Sequence, residues 1–137
     1  MKADILAHEG EGISWAYKNE KWVVCIKNWK PDNDIDGIHH LEVHHETDEQ
    51  FILANGQAIL LVADRKDDKF HIEIIEMELG KVYNVPQETW FYTITQKDTK
   101  MMYVQDSGTS AENSEYCEMT EAELAAVRKK ATEIFNK

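Results

Sequence analysis

Residues 37–62 read GIHHLEVHHETDEQFILANGQAILLV, and this stretch decides how the rest of the chain is interpreted. It contains four of the six histidines, a run of acidic residues, and two apolar segments separated by Asn55 and Gly56. An Asn-Gly pair between two apolar β-type segments is the strongest short-range indication of a β-hairpin. The sequence therefore predicts a hairpin made of residues 49–54 and 57–63, with a polar cluster beside it.

A further strand is predicted over residues 37–45, just before the hairpin. Side chains along a strand alternate between two faces. One face would carry His39, Leu41, Val43 and His45, and the opposite face would carry His40, Glu42 and His44. We expect the first face to point inward, which would place His45 inside the protein, close to Glu49.

Composition excludes several classes of function. The formal net charge is −11, so the chain lacks the excess of Lys and Arg that a nucleic-acid groove or an anionic membrane surface requires. No apolar run approaches the roughly 20 residues that cross a bilayer, and the N-terminus lacks the apolar segment of a secretion signal. The length of 137 residues predicts a single domain. We expect a cytoplasmic protein with no nucleic-acid or membrane partner.

The two cysteines predict neither a zinc site nor a redox centre. Cys25 lies in the apolar run WVVCI, where a buried free thiol is expected, and Cys117 lies in the acidic segment EYCEMT. They are far apart in sequence and form no CxxC pair, so we expect no disulfide between them.

The remaining chain predicts short strands joined by turns. Residues 1–20 are predicted to form an N-terminal arm or short strands lying on a sheet, and the other strands are predicted at 21–29, 70–79, 81–85, 89–95 and 100–105. The apolar alternation slips near Ile75, which indicates a β-bulge. A loop rich in Ser, Gly and Asn is predicted over residues 107–119.

The last predicted element is a helix. Thr120 and Glu123 form a capping box, and the apolar residues that follow recur at helical spacing, so we expect an amphipathic helix over residues 120–136. It should pack on the outside of the sheets. The fold class is therefore one all-β domain over residues 1–137, an antiparallel jelly roll at about 21–106 with a C-terminal α-helix.

The spacing of several residues resembles the two sequence motifs of the cupin superfamily. The first motif runs Gly, five residues, His-x-His, three or four residues, Glu, six residues, Gly; Gly37, His45, Glu49 and Gly56 match it, with Val43 in place of the first His. The second runs Gly, five residues, Pro-x-Gly, two residues, His, three residues, Asn; Gly80 and Pro86 match it, with Glu88, Phe91 and Thr95 in the other places. The resemblance covers residues 37–95 and implies a cupin barrel, a double-stranded β-helix.

Cupins commonly hold a divalent transition metal on two histidines, a glutamate and a third histidine. Here Val43 and Phe91 replace two of these histidines, which leaves His45 and Glu49 as the only ligands. Two ligands rarely form a stable metal site, so we expect no cofactor. A rearranged ligand set would have to recruit another of the nearby histidines: His39, His40 or His44. On a regular strand His39 lies about 20 Å from His45, too far to share an ion with it.

The resemblance implies a small-molecule pocket inside the barrel. We expect His45 and Glu49 to act as its polar anchors among apolar walls formed by Val43, Phe51 and Phe91. Such a pocket suits a sugar or a carboxylic acid, and these five residues are the candidate ligand-binding site. His45 and Glu49 are also the candidate catalytic residues.

Three alternatives remain open, and the sequence does not decide whether the chain is an enzyme. The first is a metal-dependent cupin isomerase or dioxygenase. The second is a metal-free epimerase like the deoxysugar epimerases of the family, with His45 as the base and Tyr92 or Tyr103 as the acid; strand alternation counts against Tyr92. The third is a dimeric scaffold without a ligand. The resemblance also implies a homodimer.

Overall fold

A computed structural model describes residues 2–137, which form ten strands and one helix. The strands are β1 (Ile13–Lys18), β2 (Trp22–Asn28), β3 (His40–His44), β4 (Glu49–Asn55), β5 (Ala58–Lys66), β6 (Lys69–Glu76), β7 (Val82–Val85), β8 (Trp90–Thr95), β9 (Lys100–Asp106) and β10 (Ser114–Glu118). The helix is α1 (Glu121–Phe135), and two short 3₁₀ turns occupy Pro31–Asn33 and Ala111–Asn113. None of the helical segments described is long and apolar enough to cross a membrane.

The strands form two five-stranded antiparallel sheets. The first has the order β1-β2-β9-β4-β7, and the second has the order β10-β3-β8-β5-β6. Neighbouring strands are mostly distant in sequence, as expected when the chain winds back and forth between two sheets of a jelly roll. The predicted fold class, an antiparallel jelly roll with a C-terminal helix, is confirmed.

The hairpin predicted at Asn55 and Gly56 is wrong. β4 pairs with β7 and β9 in the first sheet, whereas β5 pairs with β6 and β8 in the second. Gly56, at φ +76°, turns the chain from one sheet to the other, and it lies so close to Asp98 and Thr99 that a Cβ would be 3.2 Å from their backbones. Turn chemistry identified the reversal correctly but could not identify the partners of the two strands.

A tight hairpin does join β5 and β6. Asp67 and Asp68 both have positive φ, 54° and 61°, which is the pattern of a two-residue type I′ turn. The pairing runs without a break from Lys66 and Lys69 to Ile59 and Glu76, so the β-bulge predicted near Ile75 is absent. Ile75 instead packs against the core between the sheets.

Two strands lie outside the segments given firm strand predictions. β1 lies within residues 1–20, where an arm or short strands on a sheet were predicted, and pairs with β2; β10 lies inside the loop predicted over residues 107–119. β10 pairs along its whole length with β3 and forms an edge of the second sheet. Its sequence, SEYCE, has few apolar residues because an edge strand keeps much of its surface in water.

The second sheet separates two apolar cores. One core fills part of the space between the sheets and includes Phe51, Leu60 and Met101. The other core lies between the second sheet and α1, where Leu41, Ile59, Ile94 and the helix residues Val127, Ala131 and Ile134 are buried together. The capping box predicted for Thr120 and Glu123 is present, and the helix packs outside the sheets as expected.

Candidate ligand-binding site

A cavity of about 440 Å³ lies between the sheets, beside the inner apolar core. Strands from both sheets supply its walls. The side chains that matter for its chemistry are Lys27 of β2, Glu42 and His44 of β3, Glu49 of β4, Thr93 of β8 and Tyr103 of β9. Phe51 and Phe91 line the cavity as predicted, and Ser114 and Tyr116 of β10 close one side.

β3 presents the opposite face from the one predicted. His40, Glu42 and His44 line the cavity, whereas Leu41 lies in the outer core beneath α1. The apolar face of β3 points outward because the helix supplies an apolar layer on that side of the sheet. The expectation that His45 faces the interior is therefore wrong.

His44 and Glu49 form a pair at the cavity wall. His44 Nε2 lies 3.1 Å from Glu49 Oε1 and 3.8 Å from Glu42 Oε2, and His44 Nδ1 lies 2.6 Å from Ser114 Oγ. Glu49 is only 4% exposed. The 3.1 Å contact is an ion-pair distance without hydrogen-bond alignment, so Glu49 Oε1 has no hydrogen-bond partner. Glu49 therefore contributes to the cavity wall a buried carboxylate oxygen that can still accept a hydrogen bond.

The pKa values of this pair are shifted in the same direction. Burial raises the pKa of Glu49, and the neighbouring His44 opposes the rise only in part. Burial alone would lower the pKa of His44, but the contact with Glu49 and the charges of Glu49 and Glu42 outweigh it, so the pKa of His44 is raised. The pair therefore holds protons at higher pH than its two groups would in water.

His45 lies outside the cavity. Its ring bridges two carboxylates on the surface, with Nδ1 3.0 Å from Glu88 Oε1 and Nε2 2.6 Å from Glu115 Oε2. These contacts raise the pKa of His45. Val43 is buried but does not line the cavity, so of the predicted site residues only Glu49, Phe51 and Phe91 are brought together.

Both tyrosines proposed as acids border the cavity. Tyr103 projects from β9 and is almost fully buried. Tyr92 belongs to the outer core, as strand alternation predicted, but its ring reaches the rim, where its hydroxyl accepts a hydrogen bond from Lys30. Burial raises the pKa of each phenol, so both remain protonated at neutral pH.

Lys27 is a functional candidate that the sequence analysis missed. It is 6% exposed, and its Nζ donates a hydrogen bond of 2.9 Å to Thr93 Oγ1. Burial, reinforced by the charge of Lys30, lowers the pKa of Lys27 to about 8. Alternation along β2 could have found it, because Lys27 shares a face with Val23 and Cys25, which are both buried.

Similar arrangements of strands occur in solved structures. Streptomyces Pac13 with uridine superposes with a TM-score of 0.58 at 10% sequence identity, over 90% of this chain and 98% of Pac13. CapF, solved with the inhibitor 3-isopropenyl-tropolone, gives a TM-score of 0.59 at 15% identity, over 81% of this chain and 33% of CapF. KdgF from Halomonas sp. gives 0.50 at 9% identity, over 77% of this chain and 90% of KdgF. These proteins share the cupin fold.

This chain has the cupin fold. No family model matches the sequence, and the comparison with curated proteins found no match. Because identities of 9–15% establish the fold alone, the chemistry of this chain has to be argued from its own side chains.

The cavity does not fit the metal that many cupins hold. If four residues instead of three are counted before Glu49, the paired-histidine positions of the first cupin motif fall on Glu42 and His44, and Gly37 then lies one residue too close to the first of them. Phe91 takes the place of the third histidine. Phe91 has no lone pair to donate, and the donor atoms of Glu42, His44 and Glu49 do not all lie within 4.8 Å of one another. Lys27 already supplies a cation to the same cavity.

Proposed function

We propose that this cupin binds a small hydroxylated molecule, a sugar or a carboxylic acid, in the cavity between its sheets. His44 and Glu49 are the polar anchors of the ligand. The observation that carries the proposal is the buried Glu49 Oε1, which lacks a hydrogen-bond partner beside His44 Nε2 in a cavity of about 440 Å³. A cavity of this size suits a small molecule.

The unpaired carboxylate oxygen supports a ligand that carries hydroxyl groups. A buried acceptor without a donor is unfavourable by about 1–3 kcal/mol, and more for a charged group. A ligand hydroxyl that donates to Glu49 Oε1 would remove this penalty, and His44 Nε2 is close enough to contact the same hydroxyl. The binding energy would therefore concentrate at this pair.

The distribution of charge supports a carboxylic acid within that class. Lys27 and Lys30 line one part of the cavity, and Glu42, His44 and Glu49 line another. A hydroxylated acid, such as a sugar acid, would place its carboxylate near the two lysines and its hydroxyls near Glu49. The aromatic walls formed by Phe51 and Phe91 would cover its carbon skeleton.

A thermal-shift and calorimetric screen tests this proposal. The panel holds sugars, sugar acids, hydroxy acids and, because Pac13 was solved with uridine, a nucleoside. A ligand should raise the Tm of the wild type.

Glu49→Gln and His44→Gln should weaken binding of that ligand about 10–100-fold, as expected for the loss of a charged hydrogen bond. His45→Gln is the matched control, and it should leave the affinity unchanged because His45 lies outside the cavity. Equal weakening by His45→Gln and His44→Gln, or a panel without any binder, would contradict the proposal.

Proton transfer is a second candidate function, favoured by the presence of His44 and Tyr103 in one cavity. His44 would accept a proton from a carbon next to a carbonyl group, Glu49 would hold its imidazole, and the protonated Tyr103 would donate on the other side. An isomerase or epimerase would use this arrangement. Incubation of an identified ligand in D₂O should exchange the proton at that carbon, and His44→Gln should abolish the exchange. If the ligand binds but its carbon-bound proton does not exchange, the chain is a binding protein and not an isomerase or epimerase.

We also propose an oligomeric state and a cellular location for this chain. A second copy of the chain is expected to cover exposed aromatic residues on the first sheet, which would make a homodimer. A cytoplasmic location is supported by Cys25 and Cys117, which are both free thiols.

A further inference from the structure

Two histidines and a glutamate converge at one edge of the second sheet. His39 Nδ1 lies 2.8 Å and 2.9 Å from the carboxylate oxygens of Glu118, and 3.3 Å from His40 Nδ1. Within residues 2–137 this is the only group of three His, Cys, Asp or Glu side chains whose donor atoms all lie within 4.8 Å of one another. We propose that His39, His40 and Glu118 bind a divalent transition metal, with Zn²⁺ as the best match.

The distances suit zinc. Zinc binds His nitrogen and carboxylate oxygen at about 2.0–2.2 Å in tetrahedral geometry, so two ligand atoms on one ion lie about 3.3 Å apart. The two Nδ1 atoms already have this separation. Three protein ligands of the type His₂Glu leave the fourth position for water or for an oxygen of a small molecule.

The strand pairing fixes the three ligands relative to one another. His40 and Glu118 are direct partners across β3 and β10, and the backbone NH of Met119 donates to the carbonyl of His39. The ring of His40 packs edge-on against Tyr116, with ring centres 5.0 Å apart. The site therefore requires no rearrangement of the backbone to accept an ion.

The protonation of His40 also suits a ligand. Its Nε2 is buried without a hydrogen-bond partner, next to the rings of Tyr92 and Tyr116. A neutral imidazole with its proton on Nε2 leaves Nδ1 free to bind the ion.

The site is distinct from the pair in the cavity. His39 and Glu118 lie outside the cavity lining, and His40 lines the cavity at the opposite end of β3 from His44. His40 and His44 are four residues apart on β3, which corresponds to about 13 Å. The other surface histidine with two carboxylates, His45, contacts them through different ring nitrogens, so those three groups cannot share one ion.

Metal binding to the untagged, chelator-treated protein tests this inference. Equilibrium dialysis against Zn²⁺, followed by elemental analysis, should give one ion per chain. His39→Ala and Glu118→Gln should weaken binding about 10-fold or more, and both substitutions alter exposed side chains that the fold does not need. Two controls should keep wild-type affinity: His71→Ala on the exposed face of β6, and His44→Gln in the cavity.

Co²⁺ gives a second readout, because its visible absorption intensifies on entry into a tetrahedral site. The spectrum should develop with the wild type and with His44→Gln, but not with His39→Ala. Absence of stoichiometric Zn²⁺, unchanged binding by His39→Ala, or loss of binding through His44→Gln would each overturn the inference. The screen for cavity ligands is read separately with His44→Gln and His45→Gln, so failure of one proposal does not imply failure of the other.

Discussion

A lysine in the interior of the fold is rare, and Lys27 is present there with one hydrogen-bonded partner, Thr93. Burial disfavours its charged form, which lowers its pKa from 10.5 to about 8. A lowered pKa means that the folded chain loses stability as the pH falls from 10.5 to about 8, and that the full penalty remains at neutral pH. Lys27 is therefore unfavourable for the fold itself, which is consistent with the proposed role of the cavity in binding an acidic ligand.

Lys27→Met tests this interpretation. Methionine has a similar shape and no charge, so the free energy of unfolding at pH 7 should rise, by up to about 3 kcal/mol. The gain should shrink as the pH approaches 10.5. Urea unfolding at both pH values provides the measurement. Lys129→Met, at an exposed position of α1, is the control and should change stability by less than about 0.5 kcal/mol.

A Lys27→Met variant that is less stable than the wild type at pH 7 would contradict this argument. It would mean that the bond to Thr93 and the nearby carboxylates outweigh the cost of burial. The same variant should bind an acidic ligand more weakly, because the cavity loses a cation.

At the scale of elements, Gly37 has a structural role that differs from its place in the cupin motif. A Cβ on Gly37 would lie 1.9 Å from the carbonyl oxygen of Pro31, so only glycine allows the chain to pass this 3₁₀ turn. The turn carries Asn33, whose side chain is buried and donates to the backbone of Thr93 in the cavity wall. The close approach therefore positions one wall of the site.

Gly37→Ala should force these two segments apart and lower the free energy of unfolding by about 1–3 kcal/mol, the usual cost of overpacking. Urea unfolding measures the change. Gly10→Ala is the control, because its Cβ would meet only the end of the His8 side chain, and it should be close to neutral. Equal stability of the two variants would show that the turn moves freely.

The helix and most strands could be predicted because they follow from local sequence patterns. The pairing of the strands could not be predicted in this way. The helix follows from the capping box of Thr120 and Glu123, and most strands follow from alternation. The face of β3 does not follow from alternation, because both faces of the second sheet are covered, one by α1 and one by the cavity. The cupin motif allows three or four residues before Glu49, and its Gly37 spacing favours the alignment with His45, but the tertiary packing places His44 beside Glu49.

Long-range pairing explains the other errors in the site and fold. Asn55 and Gly56 turn the chain, but whether the flanking strands pair depends on β7, β8 and β9, which come later in sequence. Lys27 was missed because a lysine on a buried face violates the pattern that identifies buried faces. The convergence of His39 and His40 with Glu118 needs β10, which the composition of residues 107–119 had concealed.

At the scale of the whole molecule, one surface remains without cover. Trp15, Tyr17 and Trp22 are exposed on the first sheet, and β1 forms its edge. Trp15 is 61% exposed, which is unusual for so large an apolar side chain. Exposed aromatic residues at a sheet edge are typical of an interface.

Sedimentation velocity tests the expected homodimer. The wild type should sediment as a dimer at micromolar concentration, and Trp15→Ser should shift it towards monomer because the interface loses an aromatic anchor. Leu79→Ser removes an equally exposed apolar residue elsewhere and should leave the dimer intact. A wild type that sediments as a monomer would contradict the homodimer, and these exposed aromatic residues would then be candidates for binding a different partner.

The two cores on either side of the second sheet have a practical consequence for protein engineering. Alternate positions of β8 belong to different layers: Tyr92 and Ile94 face the helix, and Phe91 and Thr93 face the cavity. A gene library that randomises only every second codon of such strands would vary the cavity surface while preserving the layer that holds the helix. Directed evolution could therefore give this small scaffold new ligands with little loss of correctly folded protein.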